Sequence, residues 1–446
     1  MPDQNKEFKT HGLSKRGLDA WKRPLRVDFS VYEEAQQNAY HPEDNPDGNF
    51  VLNIAENKCT ADLLHGRIAD LLKETSPPEW VRNYTSPAGH PSFLEAFGQF
   101  YGKYIAGEAL DVDGLAASAG ATSVIDLTSQ LIGNPGDLVA FPAPNYPAYT
   151  PDIGNKGQLE RLDFDLLNGD LSKGRMCLHK GLLDGLLEKA REKGKKLSAL
   201  VLTQPDNPMG HVYAAGELEL AADWCIENKV HLIVNEIYAL SQFDPEIVPG
   251  DRSWPRLSYQ SFVPLINAHQ SDYLHLWYSL SKDFCASGYR VGFIYSQNKA
   301  LIEAYSHWNG PSMISNITQW IFEQLFKDDA FLEHYIPTLR RQLSQNYRSI
   351  ADTLQNLDLP YIHAQGSLFL WIDFSEFLKG NNQEAEDDLW MRIYNESGLL
   401  LTPGTGFGHS LNRGCFRMVY SCLLPEEISV VTGRLQDLIS NWRSGN

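Results

Sequence analysis

Between about residue 119 and residue 296 the chain repeats one pattern: a short apolar run that closes on polar residues, then a stretch of helical periodicity. The runs are DLVAFPAP (137–144), LSALVLTQP (197–205), VHLIVNEIY (230–238), YLHLWYSLS (273–281) and YRVGFIYS (289–296). Apolar runs of this length with little in–out alternation predict strands buried on both faces. Between the second and third runs, Leu218, Ala221, Ala222 and Cys225 recur at helical spacing. Strand, helix, strand in sequence implies an α/β fold with a mainly parallel central sheet covered on both faces. In such sheets ligands gather at the carboxyl ends of the strands, so the polar residues that close the runs are the ones to read for chemistry.

The flanks differ from this centre. Residues 1–60 are polar and turn-rich, with Pro42, Pro46 and Gly48 close together, and predict an arm ahead of the main domain. Ala61, Leu64, Ile68, Leu71 and Leu72 then recur at helical spacing, as do Phe93, Phe97, Phe100 and Tyr104, and open a large domain over 61–310. From 311 to 446 a helical stretch (Ile317, Trp320, Ile321, Leu325) gives way to strand-like LFLWIDF and CFRMVYS, which predicts a smaller α+β domain.

Composition excludes several classes. With 446 residues, 43% of them hydrophobic, and with ten Trp, twenty Phe and twenty Tyr, the chain can bury a large core and is no disordered protein. The net charge of −18 is spread along the sequence without a basic stripe, so nucleic acid is not an expected partner. The six cysteines form no CxxC pair, and neither a zinc site nor a disulfide framework is indicated. Residues 1–10 are polar and no apolar run approaches the length of a membrane span, so a cytoplasmic location and no membrane partner are expected.

Five polar clusters fall at strand ends, and SLSKDFCASGYRVG (279–292) is the strongest. It sets Lys282 at a strand terminus, flanked by Ser279 and Ser281 and followed eight residues on by Arg290. Lysine supplies an amine that condenses with an aldehyde, and burial or neighbouring cations lower its pKa so that it can attack. The two hydroxyls and the planar guanidinium suit a phosphate dianion. A lysine in such a run is otherwise a solvated surface residue. The segment resembles the lysine motif of class I aminotransferases, most closely in the 1-aminocyclopropane-1-carboxylate (ACC) synthase branch, where SLSKD followed by GxRVG is typical. The similarity runs from NPDGNFVLNIAENK (45–58) to GCFRMVYS (414–421).

This resemblance implies a fold-type I enzyme that binds pyridoxal 5′-phosphate on Lys282, acts on a small-molecule amino acid, forms a homodimer and joins the arm over 1–60 to the small domain. Gly120, Ala121 and Thr122 resemble the turn that meets the phosphate; physically, a glycine turn opening a helix aims free N–H groups and the helix dipole at an anion. Tyr146 matches the aromatic that stacks on the pyridine ring. Asn207, in QPDNPMG, and Tyr238, in NEIY, match the pair that meets the phenolic oxygen. Arg417 matches the arginine that clamps the substrate carboxylate by a bidentate fork. Glu56, in IAENK, matches the glutamate that faces the substrate's side chain or cationic centre, although a carboxylate there could equally cap the helix that follows.

Two positions depart from the pattern. The residue opposite the pyridine nitrogen is usually an aspartate whose charge keeps that nitrogen protonated; here it is Asn235, which has no charge to offer. Pro87 stands where the ACC synthases have a tyrosine that reaches the neighbouring subunit's site, with Tyr84 three residues away. The first departure favours either a degenerate relative or a reaction that leans less on the ring, and the second bears on S-adenosylmethionine as the substrate. The expected function is therefore ACC-synthase-like lyase or γ-substitution chemistry after Cα deprotonation. An aminotransferase and a non-catalytic binding protein remain as alternatives.

Overall fold

The computed structural model describes residues 11–23, 29–166, 177–250, 256–408 and 413–445. The opening decapeptide, residues 1–10, lies outside that set.

A two-residue strand, β1 (Phe50–Val51), comes first. Seven strands then build the central sheet: β2 (Leu115–Ser118), β3 (Leu138–Ala143), β4 (Glu160–Asp165), β5 (Leu197–Thr203), β6 (His231–Asn235), β7 (Leu274–Ser279) and β8 (Gly292–Ser296). Their spatial order is β2-β8-β7-β6-β5-β3-β4. All neighbours pair in parallel except β8, which runs antiparallel to both β2 and β7. Every residue of β3, β5 and β7 is buried, as strands covered on both faces must be. The sheet is the α/β core that the apolar runs predict. Its antiparallel member follows directly from the lysine turn, which folds the chain back along β7.

Five more strands follow: β9 (Tyr361–Ile362), β10 (Phe369–Asp373), β11 (Leu399–Leu400), β12 (Thr402–Pro403) and β13 (Cys415–Val419). Four of them form an antiparallel sheet in the order β12-β13-β10-β9, while β11 pairs in parallel with β1. The two ends of the sequence therefore meet on one unit.

The helical stripes behave as amphipathic faces. Leu64, Ile68 and Leu71 are the buried residues of the helix Ala61–Glu74, at i, i+4 and i+7. Phe93, Phe97 and Phe100 lie on one side of the helix Pro91–Tyr101 and join a cluster with Phe293 of β8 and Phe326. A 28-residue helix, Asp329–Asn356, is capped by Asp328, whose side chain accepts the Phe331 N–H. Its Tyr335 donates to the backbone carbonyl of Asp283, next to the predicted lysine. Among the described residues no helix is long and apolar enough to cross a membrane.

Candidate active site

The carboxyl ends of β5, β6 and β7, the turn after β2 and the loop after β3 converge on one cavity, the place where ligands gather in such sheets. Of the thirteen residues singled out in the sequence, nine line it: Ala121, Thr122, Tyr146, Asn207, Asn235, Tyr238, Ser281, Lys282 and Arg290. Gly120, Ser279, Glu56 and Arg417 stand directly behind or beside that lining.

Lys282 belongs to a single helical turn, Leu280–Asp283, set on the end of β7. Ser279 starts this turn: its hydroxyl accepts the Ser281 N–H at 3.2 Å and donates to the Val291 carbonyl at 2.7 Å. Asn57 Nδ2 donates to the Lys282 carbonyl at 2.9 Å, and Lys282 Nζ donates to the Ala55 carbonyl. Beneath it the buried Asp283 accepts from Leu240 N–H at 2.9 Å and from Ser241 Oγ at 2.7 Å. Burial lowers the Lys282 amine from 10.5 to about 8; Arg417 and Arg290 push the same way and Glu56 opposes them. The lysine is thus held as an amine that loses its proton easily.

The anion end is assembled by close approach. Gly120 precedes the helix Ala121–Ile132 with φ +86°, and a Cβ there would stand 2.4 Å from Arg290 Nη2. Only glycine lets the guanidinium pack against the turn. Arg290 Nη1 donates to the Ser287 carbonyl at 2.9 Å, which fixes its fork beside Thr122 and Ser281. The first N–H groups of the helix, two hydroxyls and one guanidinium so face a common space.

At the opposite wall β6 ends on Asn235, and the next residue explains why it can. Glu236 is fully buried and accepts from Tyr101 Oη, from Ser261 Oγ at 2.9 Å and from Phe262 N–H at 2.6 Å. That anchor sets Asn235 and Tyr238 on the cavity side. Asn235 Oδ1 accepts the Ile237 N–H at 3.2 Å and its Nδ2 donates to Tyr149 Oη at 2.7 Å. Burial pushes the Tyr238 hydroxyl far up, so it remains an O–H donor, and it shares a hydrogen bond with Asn207.

Arg417 lies on β13, almost wholly buried, with Nη1 on Asn207 Oδ1 at 3.1 Å and Nη2 on the Asn53 carbonyl at 2.6 Å. Its guanidinium sits over the Phe369 ring. Glu56 lines a groove next to the cavity with Asn57, His65 and Tyr289. It does not cap the following helix, whose N-cap is Thr60. Pro87 gives its carbonyl to Asn309 Nδ2, and Tyr84 is fully exposed on the single chain.

Sequence reasoning missed Tyr149, Asp152, Thr203 and Ser287, all of which line the cavity. Tyr149 and Asp152 fall three and six residues beyond Tyr146, but their helix, Tyr149–Gly154, is too short for that spacing to flag them.

The family profile "Aminotransferase class I and II" matches residues 51–435. The chain belongs to this family. Its cofactor is pyridoxal 5′-phosphate, and the lysine amine, anion turn and paired hydrogen-bond donors described above suit an aldehyde, a phosphate and a phenolic oxygen. Among curated relatives of this aminotransferase-family chain, the 1-aminocyclopropane-1-carboxylate synthase of Glycine max is 26% identical over 96% of the chain and 86% of its own length. A second from Oryza sativa subsp. japonica, 1-aminocyclopropane-1-carboxylate synthase 2, is 28% identical at the same coverage. Among solved structures, the aspartate aminotransferase of Thermotoga maritima superposes with TM-score 0.74 at 18% identity, over 96% of this chain and all of that one. A Thermus thermophilus aspartate aminotransferase double mutant gives the same TM-score. These structures establish the fold, fold-type I of the pyridoxal-phosphate enzymes.

Proposed function

We propose that this protein removes the Cα proton of an α-amino acid and then expels or replaces a substituent at Cγ, as an ACC-synthase-like lyase or γ-substituting enzyme, with S-adenosylmethionine as the first substrate to test. The observation that carries the reading is the Lys282 amine at the end of β7, within electrostatic reach of the Arg290 and Arg417 guanidiniums and of the Glu56 carboxylate. Two cations suit a substrate carboxylate and a cofactor phosphate, and one anion suits a cationic group on the substrate side chain.

Bound pyridoxal phosphate supplies an aldehyde for the amine and a ring that accepts electron density from Cα. The chain does the rest. Ala121, Thr122, Ser281 and Arg290 would bind the phosphate; Ser279 and Gly120 hold those groups in place. Tyr146 would cover one face of the ring, while Asn207 and the Tyr238 hydroxyl would donate to the phenolic oxygen. Arg417 clamps the substrate carboxylate, which orients the Cα–H bond. Lys282 Nζ, whose proton affinity burial lowers, would accept that proton as general base. Asn235 adds no charge to the ring, and expulsion of a γ substituent as the proton leaves asks less of the ring than transamination does. The active unit is a homodimer, and each chain divides into an arm (1–60), a large domain (61–310) and a small domain (311–446).

Incubation with candidate amino acids, with and without 2-oxoglutarate, tests the reading. Release of methylthioadenosine from S-adenosylmethionine without an acceptor supports it. Glutamate formation that depends on 2-oxoglutarate points to an aminotransferase instead. Absence of deuterium exchange at Cα of every bound amino acid points to a binding protein.

A further inference from the structure

The wall that carries Asn235 holds one ionisable group with no part in the chemistry above. Asp152 stands one helical turn beyond Tyr149 on the short helix Tyr149–Gly154 and lines the cavity with Ile125, Thr203 and Asn235. Its Oδ2 is buried with no hydrogen-bond partner among the described residues. Burial raises this carboxyl to about 7, and the like charge of Asp126, on the helix packed against it, adds to the rise. Asp126 is itself engaged by Lys156 at 2.6 Å. Tyr149 faces Asp152 from its own helix with a phenol that burial keeps neutral. Lys282 and Arg290 face the same cavity, and neither offsets the rise.

Asp152 is half-buried, but its Oδ2 is buried without a partner, which costs stability unless a ligand in the cavity supplies one. Asn235 leaves such a role open. Its Oδ1 accepts the Ile237 N–H and one Nδ2 hydrogen goes to Tyr149, so the amide keeps one uncharged carbonyl lone pair and a second N–H donor. That donor suits a bare ring nitrogen and cannot supply charge to a protonated one.

We propose that Asp152 is the acid that exchanges a proton with the ring nitrogen of bound pyridoxal phosphate, a task beyond the amide at 235. In the exchange the carboxyl O–H bond breaks and an N–H bond forms on the nitrogen lone pair. The carboxyl becomes a carboxylate, the nitrogen gains the positive charge, and no other bond changes. Protonation of the ring then titrates with Asp152 and is not locked by a permanently charged neighbour. The inference rests on the reading of this cavity as the pyridoxal-phosphate site.

The test uses the cofactor-loaded protein and pyridoxal phosphate carrying ¹⁵N in the ring, whose chemical shift separates a protonated nitrogen from a bare one. The shift is expected to titrate across neutral pH in the wild type, to report a bare nitrogen throughout in Asp152→Asn, and to titrate again in Asp152→Glu. Above about pH 7 the Asp152→Asn apoprotein is expected to melt no lower than wild type, because it sheds an unpaired carboxylate. A group with a merely structural role would lower that melting temperature. Identical ¹⁵N titrations in wild type and Asp152→Asn, or an Asp152→Asn chain that fails to fold, overturn the proposal. Borohydride trapping on the same samples keeps the two readings apart. Attachment at Lys282 in the wild type together with unchanged shifts sinks the role of Asp152 alone, whereas no attachment sinks the site and this inference with it.

Discussion

Asn235 Nδ2 donates to Tyr149 Oη at 2.7 Å, and Tyr149 Oη lies 2.9 Å from Thr203 Oγ1. The phenol oxygen accepts from the amide, either hydroxyl can donate in its contact with Thr203, and the bonds link the ends of β5 and β6. These partners fix the orientation of the amide: its nitrogen cannot be exchanged for its oxygen without breaking the bond from Ile237 N–H.

Asn235→Asp fits the same cage, since the Tyr149 hydroxyl can turn and donate to a carboxylate. The substitution places a fixed negative charge against the ring and is expected to raise keto-acid-dependent transamination relative to γ-product. Product ratios with and without 2-oxoglutarate check this, and unchanged ratios would mean that residue 235 does not govern the ring.

Lys282 sets a pH dependence. With its amine lowered to about 8, the free form rises from about a tenth one pH unit below that value to about nine-tenths one unit above it. Covalent uptake of pyridoxal phosphate should therefore quicken roughly tenfold between those points, as read by absorbance in stopped flow. The linkage has a definite sign: the folded state releases this proton before the unfolded state does, so apoprotein stability from Lys282 rises with pH from about 8 to 10.5. Below that window the full burial cost remains.

Gly120→Ala puts a Cβ 2.4 Å from Arg290 Nη2 on a backbone with φ +86°. This positive-φ, extended-ψ backbone is essentially glycine-only and costs an alanine about 1–3 kcal/mol, and the guanidinium must also move. Cofactor affinity should fall by about tenfold or more, measured as the dissociation constant of pyridoxal phosphate, with a smaller loss in apoprotein melting temperature.

Much of the site is legible in the sequence, and the reason is topological. Strands of a parallel sheet deliver their last residues to one edge, so Asn207, Asn235, Tyr238 and Lys282 could be read from the ends of apolar runs. The edge strand β4, ERLDFD, was not legible because it is only half covered and carries no apolar run. β2 is four residues long and shows too little pattern to register. Tyr149 and Asp152 escaped because a single-turn helix after a proline-rich loop has no periodicity to detect, and only packing against the helix Ala121–Ile132 turns them inward. The role of Glu236 was equally hidden: its partners Tyr101, Ser261 and Phe262 are distant in sequence.

Arg417→Lys removes a planar fork from a buried position and leaves Asn207 Oδ1 without its donor. The loss is expected to be about 1.5–3 kcal/mol, roughly ten- to hundredfold in KM for the amino acid, with a smaller change in kcat. Steady-state kinetics check it; an unchanged KM would remove Arg417 from carboxylate binding.

The most direct measurement is borohydride reduction of the protein loaded with pyridoxal phosphate, followed by peptide mass analysis. Mass added at Lys282, and lost in Lys282→Ala, is the expected result. A colourless protein with residue 282 unmodified after reduction would contradict the assignment of this lysine, and with it the reading of the cavity.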